Sequence, residues 1–172
     1  QADGLGLANV DGGGFRSAFD SLIAPWSEAY GALPALLSGM VGASTGWKEA
    51  PYCAVPVDID ELANNLEAAA DDLPIWIVPG VMVRRRNEMP DVMRGEEVQA
   101  IGAATEGDSL LILPGTHSKW VQMAGRRIVD FKTFMTGDLH AAVLNHTVVS
   151  ALAGAGGDPR AFERGVDAVR AH

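Results

Sequence analysis

Behind a glycine cluster at residues 12–14, apolar residues return every three or four positions. Phe15, Ala18, Phe19, Leu22, Ile23 and Trp26 fall on one stripe, which predicts an amphipathic helix ending near Gly31. The apolar run over residues 34–40 predicts a buried strand that opens into a loop at Gly39 and Gly42. Residues 58–72 predict a second helix, capped by Asp58 or Asp60, with Leu62, Leu66 and Ala70 on one face. Residues 75–78 (Ile-Trp-Ile-Val) predict a strand stopped by Pro79-Gly80, and residues 84–90 read as a charged loop. A third helix is expected from Arg94 or Gly95 to about Ala104.

Beyond it the period changes to two. Residues 110–113, 120–123 and 128–131 form an antiparallel meander turned at Pro114-Gly115 and Ala124-Gly125. Two helices, over 138–151 and 159–171, follow with a glycine-rich linker between them. This order predicts a mixed α/β lobe.

Composition narrows the partners. The net charge of −9 argues against a nucleic-acid or anionic-membrane surface, because both need a positive field. No apolar run approaches the roughly 20 residues that span a bilayer, and no leader pattern opens the chain. The single cysteine, Cys53, cannot form an internal disulfide, so the expected compartment is the cytoplasm. The chain opens on Gln1, which suggests a trimmed front end.

Three segments carry candidate chemistry. In residues 110–121, LLILPGTHSKWV, a strand enters Pro114-Gly115-Thr116-His117-Ser118 and leaves directly as a second strand. Gly115 lets a backbone approach an anion, and Thr116, His117 and Ser118 add side-chain donors, as a phosphoryl group requires. A polar hairpin turn has the same composition. In residues 93–102, MRGEEVQAIG, Val98, Ile101 and Gly102 define the packed helix face. Glu97 then sits at the edge of that face, positioned to take a proton from a substrate hydroxyl, and Glu96 lies about 100° further round toward solvent. A solvated acidic helix start is the competing reading. In residues 39–52, Gly42-Ala43-Ser44-Thr45-Gly46 matches the nucleophile-elbow spacing of hydrolases, but Pro51 prevents the helix such an elbow needs. A loop bearing Ser44, Thr45, Trp47 and Lys48 suits a polyol or carboxylate better. His140 and His146 are six apart and fall on different helix faces, so no metal pair is expected.

As an ordered set, Gly39-Met-Val-Gly42 with Gly46-Trp-Lys-Glu-Ala-Pro-Tyr52, Val92-Met-Arg-Gly-Glu-Glu97, Pro114-Gly-Thr-His-Ser-Lys-Trp120 and Phe134-Met-Thr-Gly-Asp138 resembles the 2-dehydro-3-deoxygalactonokinase family over nearly the whole chain. The resemblance implies a mixed-sheet lobe of the ribonuclease H-like, actin-like ATPase fold. It also implies a cytoplasmic kinase of galactonate degradation that uses ATP and Mg2+. Such an enzyme transfers the γ-phosphoryl to the 6-hydroxyl of 2-dehydro-3-deoxy-galactonate, a small-molecule sugar acid. Residues 1–105 would form an N-terminal lobe lacking its first phosphate-binding hairpin, and 106–172 the truncated start of a second lobe. A homodimer is among the assemblies open to it.

More distantly, Ala2-Asp-Gly-Leu-Gly6, Arg94-Gly-Glu-Glu97 and the 114–118 hairpin resemble the exopolyphosphatase branch, where the second glutamate is the base. Glu97 is therefore the expected general base, with Glu96 next. Gly115, Thr116, His117 and Ser118 are the expected phosphate site, and Ser44, Thr45, Trp47, Lys48 and Arg94 the sugar-acid contacts. The rival readings are a phosphatase that activates water and a non-catalytic assembly lobe. Without the family's other segments the isolated chain is expected to turn over little, because rate depends on a preorganised site. The kinase reading requires Glu97 and Thr116 to border a common crevice.

Overall fold

The computed structural model describes residues 10, 14–152 and 158–171. The segments Ala2-Asp-Gly-Leu-Gly6 and Asp11-Gly12-Gly13 lie outside the described residues. The architecture is mixed α/β, as the element order requires. Helix α1 (Phe15–Tyr30) ends at Gly31, whose φ of 76° favours glycine, and turns Phe19 into the core.

Among the described residues the strands form three sheets of three strands each. In the first, β1 (Ala35–Leu37) pairs parallel with β4 (Ile75–Ile77), and β3 (Glu67–Ala68) pairs antiparallel with β4. In the second, β2 (Tyr52–Ala54) pairs parallel with β5 (Gly80–Val83), and β6 (Asp91–Met93) pairs antiparallel with β5. The third is the expected meander of β7 (Ser109–Leu113), β8 (Ser118–Ala124) and β9 (Arg127–Phe134). Helix α3 (Glu96–Ala103) lies between the second and third sheets in sequence, and α4 (Gly137–His146) and α5 (Pro159–Arg170) follow the meander.

Several expectations are corrected. The second helix, α2, spans only Ile59–Asn64. Asn65 Nδ2 donates to the Glu61 carbonyl at 2.8 Å, taking an acceptor that a longer helix would use, and Glu67–Ala68 then enters a sheet. Strand β1 is a three-residue, half-exposed edge rather than a buried strand over 34–40, and Met40–Gly42 is a 3-10 turn. Strands β2, β5 and β6 were not anticipated, because runs of three or four residues carry no readable period. The buried face of α3 is Glu97, Ala100 and Ile101, rotated from the expected Val98, Ile101 and Gly102. Small Ala100 packs flush against the core, and Val98 is left 40% exposed.

Two apolar clusters result. One joins Phe19 with Ala50, Ala69, Ile75 and Ile77. The other joins Val81, Val83, Met93, Ala100, Val121, Ile128 and Phe131, among others. One chain path, β4 then β5, crosses from the first cluster to the second at Pro79. Proline has no N–H, so the ladder breaks there and the strand changes sheets.

Helix α2 carries a complete capping box: Asp58 Oδ1 accepts from the Asp60 and Glu61 amides, and the Asp58 amide donates to Glu61. Asp58→Ala should therefore lower stability by about 1 kcal/mol, and Asp58→Asn by much less. Urea midpoints at constant slope check this.

Candidate functional site

The segment after β6 concentrates the chemistry. Gly95 caps α3 with φ 109°, a conformation that L-residues with side chains rarely adopt, and a Cβ there would lie 3.2 Å from Gly39 Cα. Two glycines thus let the 39–46 loop meet the start of α3. The geometry aims the Gly95 amide at Glu97, donating to Oε2 at 2.6 Å. Glu97 has no exposed surface, and its Oε1 has no partner among the described residues. Burial pushes the carboxyl up to about 7, against partial relief from its own amide and that of Gly95. The Glu96 charge raises it further and that of Arg94 opposes. Glu96 is half-buried rather than solvated, and its carboxylate accepts the Arg94 amide at 3.1 Å.

Arg94 is held from two sides. Its Nη2 donates to the Ala50 carbonyl at 2.8 Å, and its guanidinium carbon lies 4.3 Å from the Tyr52 ring centroid. Tyr52 in turn covers Gly80, where a Cβ would come within 2.5 Å of the ring. A Cβ on Gly42 would come within 2.9 Å of Arg94 Nη1. Held this way, Arg94 Nε and Nη1 remain buried and unpartnered. A buried guanidinium with two nitrogens unpartnered among the described residues suits an incoming carboxylate or phosphate oxygen.

The other expected sugar-acid contacts are placed differently. Ser44 and Thr45 are exposed on the turn after the 3-10 segment, with no helix following, so the hydrolase elbow is absent. Trp47 packs against Phe19 at a ring separation of 5.6 Å and lines an apolar groove of about 400 Å³ beside α1. Lys48 Nζ lies 2.8 Å from Glu67, whose hydrogen bond holds the ammonium above its usual pKa.

The 114–118 hairpin packs on the start of α4. The Asp138 amide donates to the Thr116 carbonyl at 2.9 Å, and the Ser118 and Thr136 hydroxyls are 2.5 Å apart. A Cβ on Gly137 would stand 2.7 Å from the Gly115 carbonyl, so glycine permits the contact. His117 Nε2 lies 3.6 Å from Asp138 Oδ2, and Gly115, Thr116 and His117 are exposed. The turn and the first residues of α4 together present hydroxyl, imidazole and amide donors, which is the chemistry of an oxyanion site.

What joins this turn to the Arg94–Glu97 segment is a buried cation that the sequence reading passed over. Lys119 is 5% exposed. Its Nζ donates to the Val92 carbonyl at 2.7 Å and to Thr133 Oγ1 at 2.8 Å. Thr133 donates on to Asp91 Oδ1 at 2.5 Å, and its amide donates to Oδ2 at 2.8 Å. Period two placed Lys119 on the same face as Val121 and Met123, which was the available signal. None of four surface cavities bounded by described residues is lined by Glu97 or Thr116, so the expected common crevice is not found among them. Their connection is through side chains.

Comparison with known proteins gives one family. The family model described as 2-keto-3-deoxy-galactonokinase matches residues 1–172. The 2-dehydro-3-deoxygalactonokinase of Escherichia coli (strain K12) is 40% identical over 147 residues, covering 85% of this chain and 49% of that protein. The "Probable 2-dehydro-3-deoxygalactonokinase DgoK1" of Rhizobium meliloti (strain 1021) is 44% identical over 149 residues, covering 84% and 48% respectively. A crystal structure titled as "a putative 2-dehydro-3-deoxygalactonokinase protein from Sinorhizobium meliloti" superposes with a TM-score of 0.73 at 42% identity, covering 81% of this chain and 48% of that one. The chain thus spans about half the length of the curated relatives it matches. No helix of the described residues is long and apolar enough to cross a membrane.

The Glu97 carboxyl titrates at about 7 when folded, against an ordinary 4.5. Between these values the folded state keeps a proton that the unfolded chain has released. The contribution is whole below about 4.5 and gone once the pH has risen through about 7, a loss on the order of 3 kcal/mol. Between pH 5 and 8, denaturant midpoints of the wild type should fall more steeply than those of Glu97→Gln. Parallel falls would place the titration on another group.

Proposed function

The chain belongs to the 2-keto-3-deoxy-galactonokinase family, and on that premise we propose that it supplies part of the active site of a sugar-acid kinase. The reaction is transfer of the ATP γ-phosphoryl to the 6-hydroxyl of 2-dehydro-3-deoxy-galactonate. The observation that carries this reading is Glu97: a fully buried carboxyl titrating near neutrality, with one oxygen unpartnered among the described residues, three residues from an arginine with two nitrogens likewise unpartnered. A base of that pKa is matched to a sugar hydroxyl at physiological pH. The relatives' names favour neither the phosphatase nor the assembly-lobe reading.

Glu97 accepts the hydroxyl proton as the sugar oxygen attacks the γ-phosphorus and the bond to ADP breaks. Glu96 holds the Arg94 amide and is next in line as base. Arg94 takes the sugar-acid carboxylate, with Ser44, Thr45 and Lys48 bordering the sugar, for Lys48 by leaving Glu67, while Trp47 backs the loop through its packing on Phe19. Gly115, Thr116 and His117, with Ser118 behind them, hold the phosphoryl oxygens during transfer. Because Glu97 is sealed, substrate entry must part the start of α3 from the 39–46 loop at the Gly39–Gly95 contact. Magnesium would bridge the phosphates of the bound nucleotide, as phosphoryl transfer generally requires.

In architecture, residues 1–105 and 106–172 are read as parts of two lobes of a ribonuclease H-like, actin-like ATPase fold, in a cytoplasmic enzyme. The mixed sheets and the 0.73 superposition are compatible with that reading.

In the full-length polypeptide, Glu97→Gln should lower turnover at least about 100-fold and leave the sugar-acid dissociation constant within about tenfold. Steady-state kinetics and calorimetric titration check the two arms. Undiminished turnover would move the base elsewhere.

A further inference from the structure

Strand β8 buries alternate residues, and its inward row is Lys119, Val121 and Met123. A lysine in a row of apolar side chains costs desolvation that methionine, of similar length, would not. The bonds Lys119 makes show what that cost obtains. Val92 lies in β6, at the edge of the second sheet, and Thr133 lies in β9, opposite Lys119 in register. Asp91, also in β6, grips Thr133 through both its hydroxyl and its amide. The second and third sheets share no strand ladder. They are pinned by the Val57–Ile128 bridge toward one end of the meander and by the Lys119–Thr133–Asp91 chain toward the other.

The second pin sits between the two halves of the proposed chemistry. Residues 114–118 run directly into Lys119, and β6 runs directly into Arg94, Gly95 and Glu97. We propose that Lys119 is a positioning residue for phosphoryl transfer: it holds the 114–118 turn at a fixed offset from the Arg94–Glu97 segment. This rests on reading Glu97 as the base and the turn as the phosphoryl site. Lys119 itself, buried under the sheet with its ammonium committed to Val92 and Thr133, touches neither substrate.

The test is made in the full-length polypeptide with Lys119→Met and Thr133→Val, beside Glu97→Gln. A sub-ångström to ångström displacement of a reacting group costs up to about 100-fold in rate. Lys119→Met should therefore lower kcat on that order, with KM for ATP and for the sugar acid within about threefold and the melting temperature within a few degrees. Thr133→Val should lower kcat in the same direction by less. Unchanged kcat in folded Lys119→Met overturns the proposal, as does a kcat loss matched by rising KM and a collapsed melting temperature. Should Lys119→Met not fold, Thr133→Val decides on the same criteria. Turnover retained in Glu97→Gln defeats the base assignment alone, because the kcat–KM split of the other two variants still judges the pin.

Discussion

A carboxyl taken wholly out of water must find donors or a proton, and most of what is unusual in this structure follows from where Glu97 finds them. One oxygen accepts the Gly95 amide, and that amide points the right way only because Gly95 adopts φ 109°. A side chain at 95 would both strain the backbone and crowd Gly39, so the loop and the helix start meet glycine against glycine. That close approach carries the following residues of the loop toward Arg94. Burying one acid thereby sets the spacing of an arginine, an aromatic ring and a polar turn.

The core supports this arrangement by division. Pro79 breaks the long β4–β5 path, leaving Ile75 and Ile77 to pack under α1 and Val81 and Val83 to pack under α3. Had the strand continued unbroken, Tyr52 would not be offered Gly80 as a floor, and Arg94 would lose the ring on which it rests. The apolar interior and the polar site are consequences of the same backbone break.

How much of this could be read from residues alone depended on length. Helix α1 and the meander span enough positions for a period to declare itself, and both appear where expected. Strands β2 and β6 are three residues each, shorter than any usable window, and their placement comes from pairing with β5 that no local pattern encodes. At α3 the phase was misjudged because Val98 looked apolar and Glu97 did not, yet the glutamate is the buried one. The same prejudice hid Lys119. Alternation extended back from Val121 and Met123 would have turned it inward, but the predicted strand began at residue 120 and a lysine after a polar turn reads as solvated. Buried charge contradicts composition-based reasoning, and such contradictions are expected at functional positions.

Arg94 and Glu97 make the last point. They are three residues apart at the start of one helix, and each keeps buried polar atoms without a partner, yet they are not paired with each other. A direct ion pair would satisfy both and would draw the Glu97 carboxyl back toward the ordinary acid range. It would also consume the acceptor a hydroxyl proton needs and the donors an anionic substrate needs. Keeping Arg94 on Ala50 and Tyr52, and Glu97 on Gly95, leaves two unsatisfied groups side by side at a cost in stability. On the proposed reading, an anionic hydroxylated substrate would offer a partner to each.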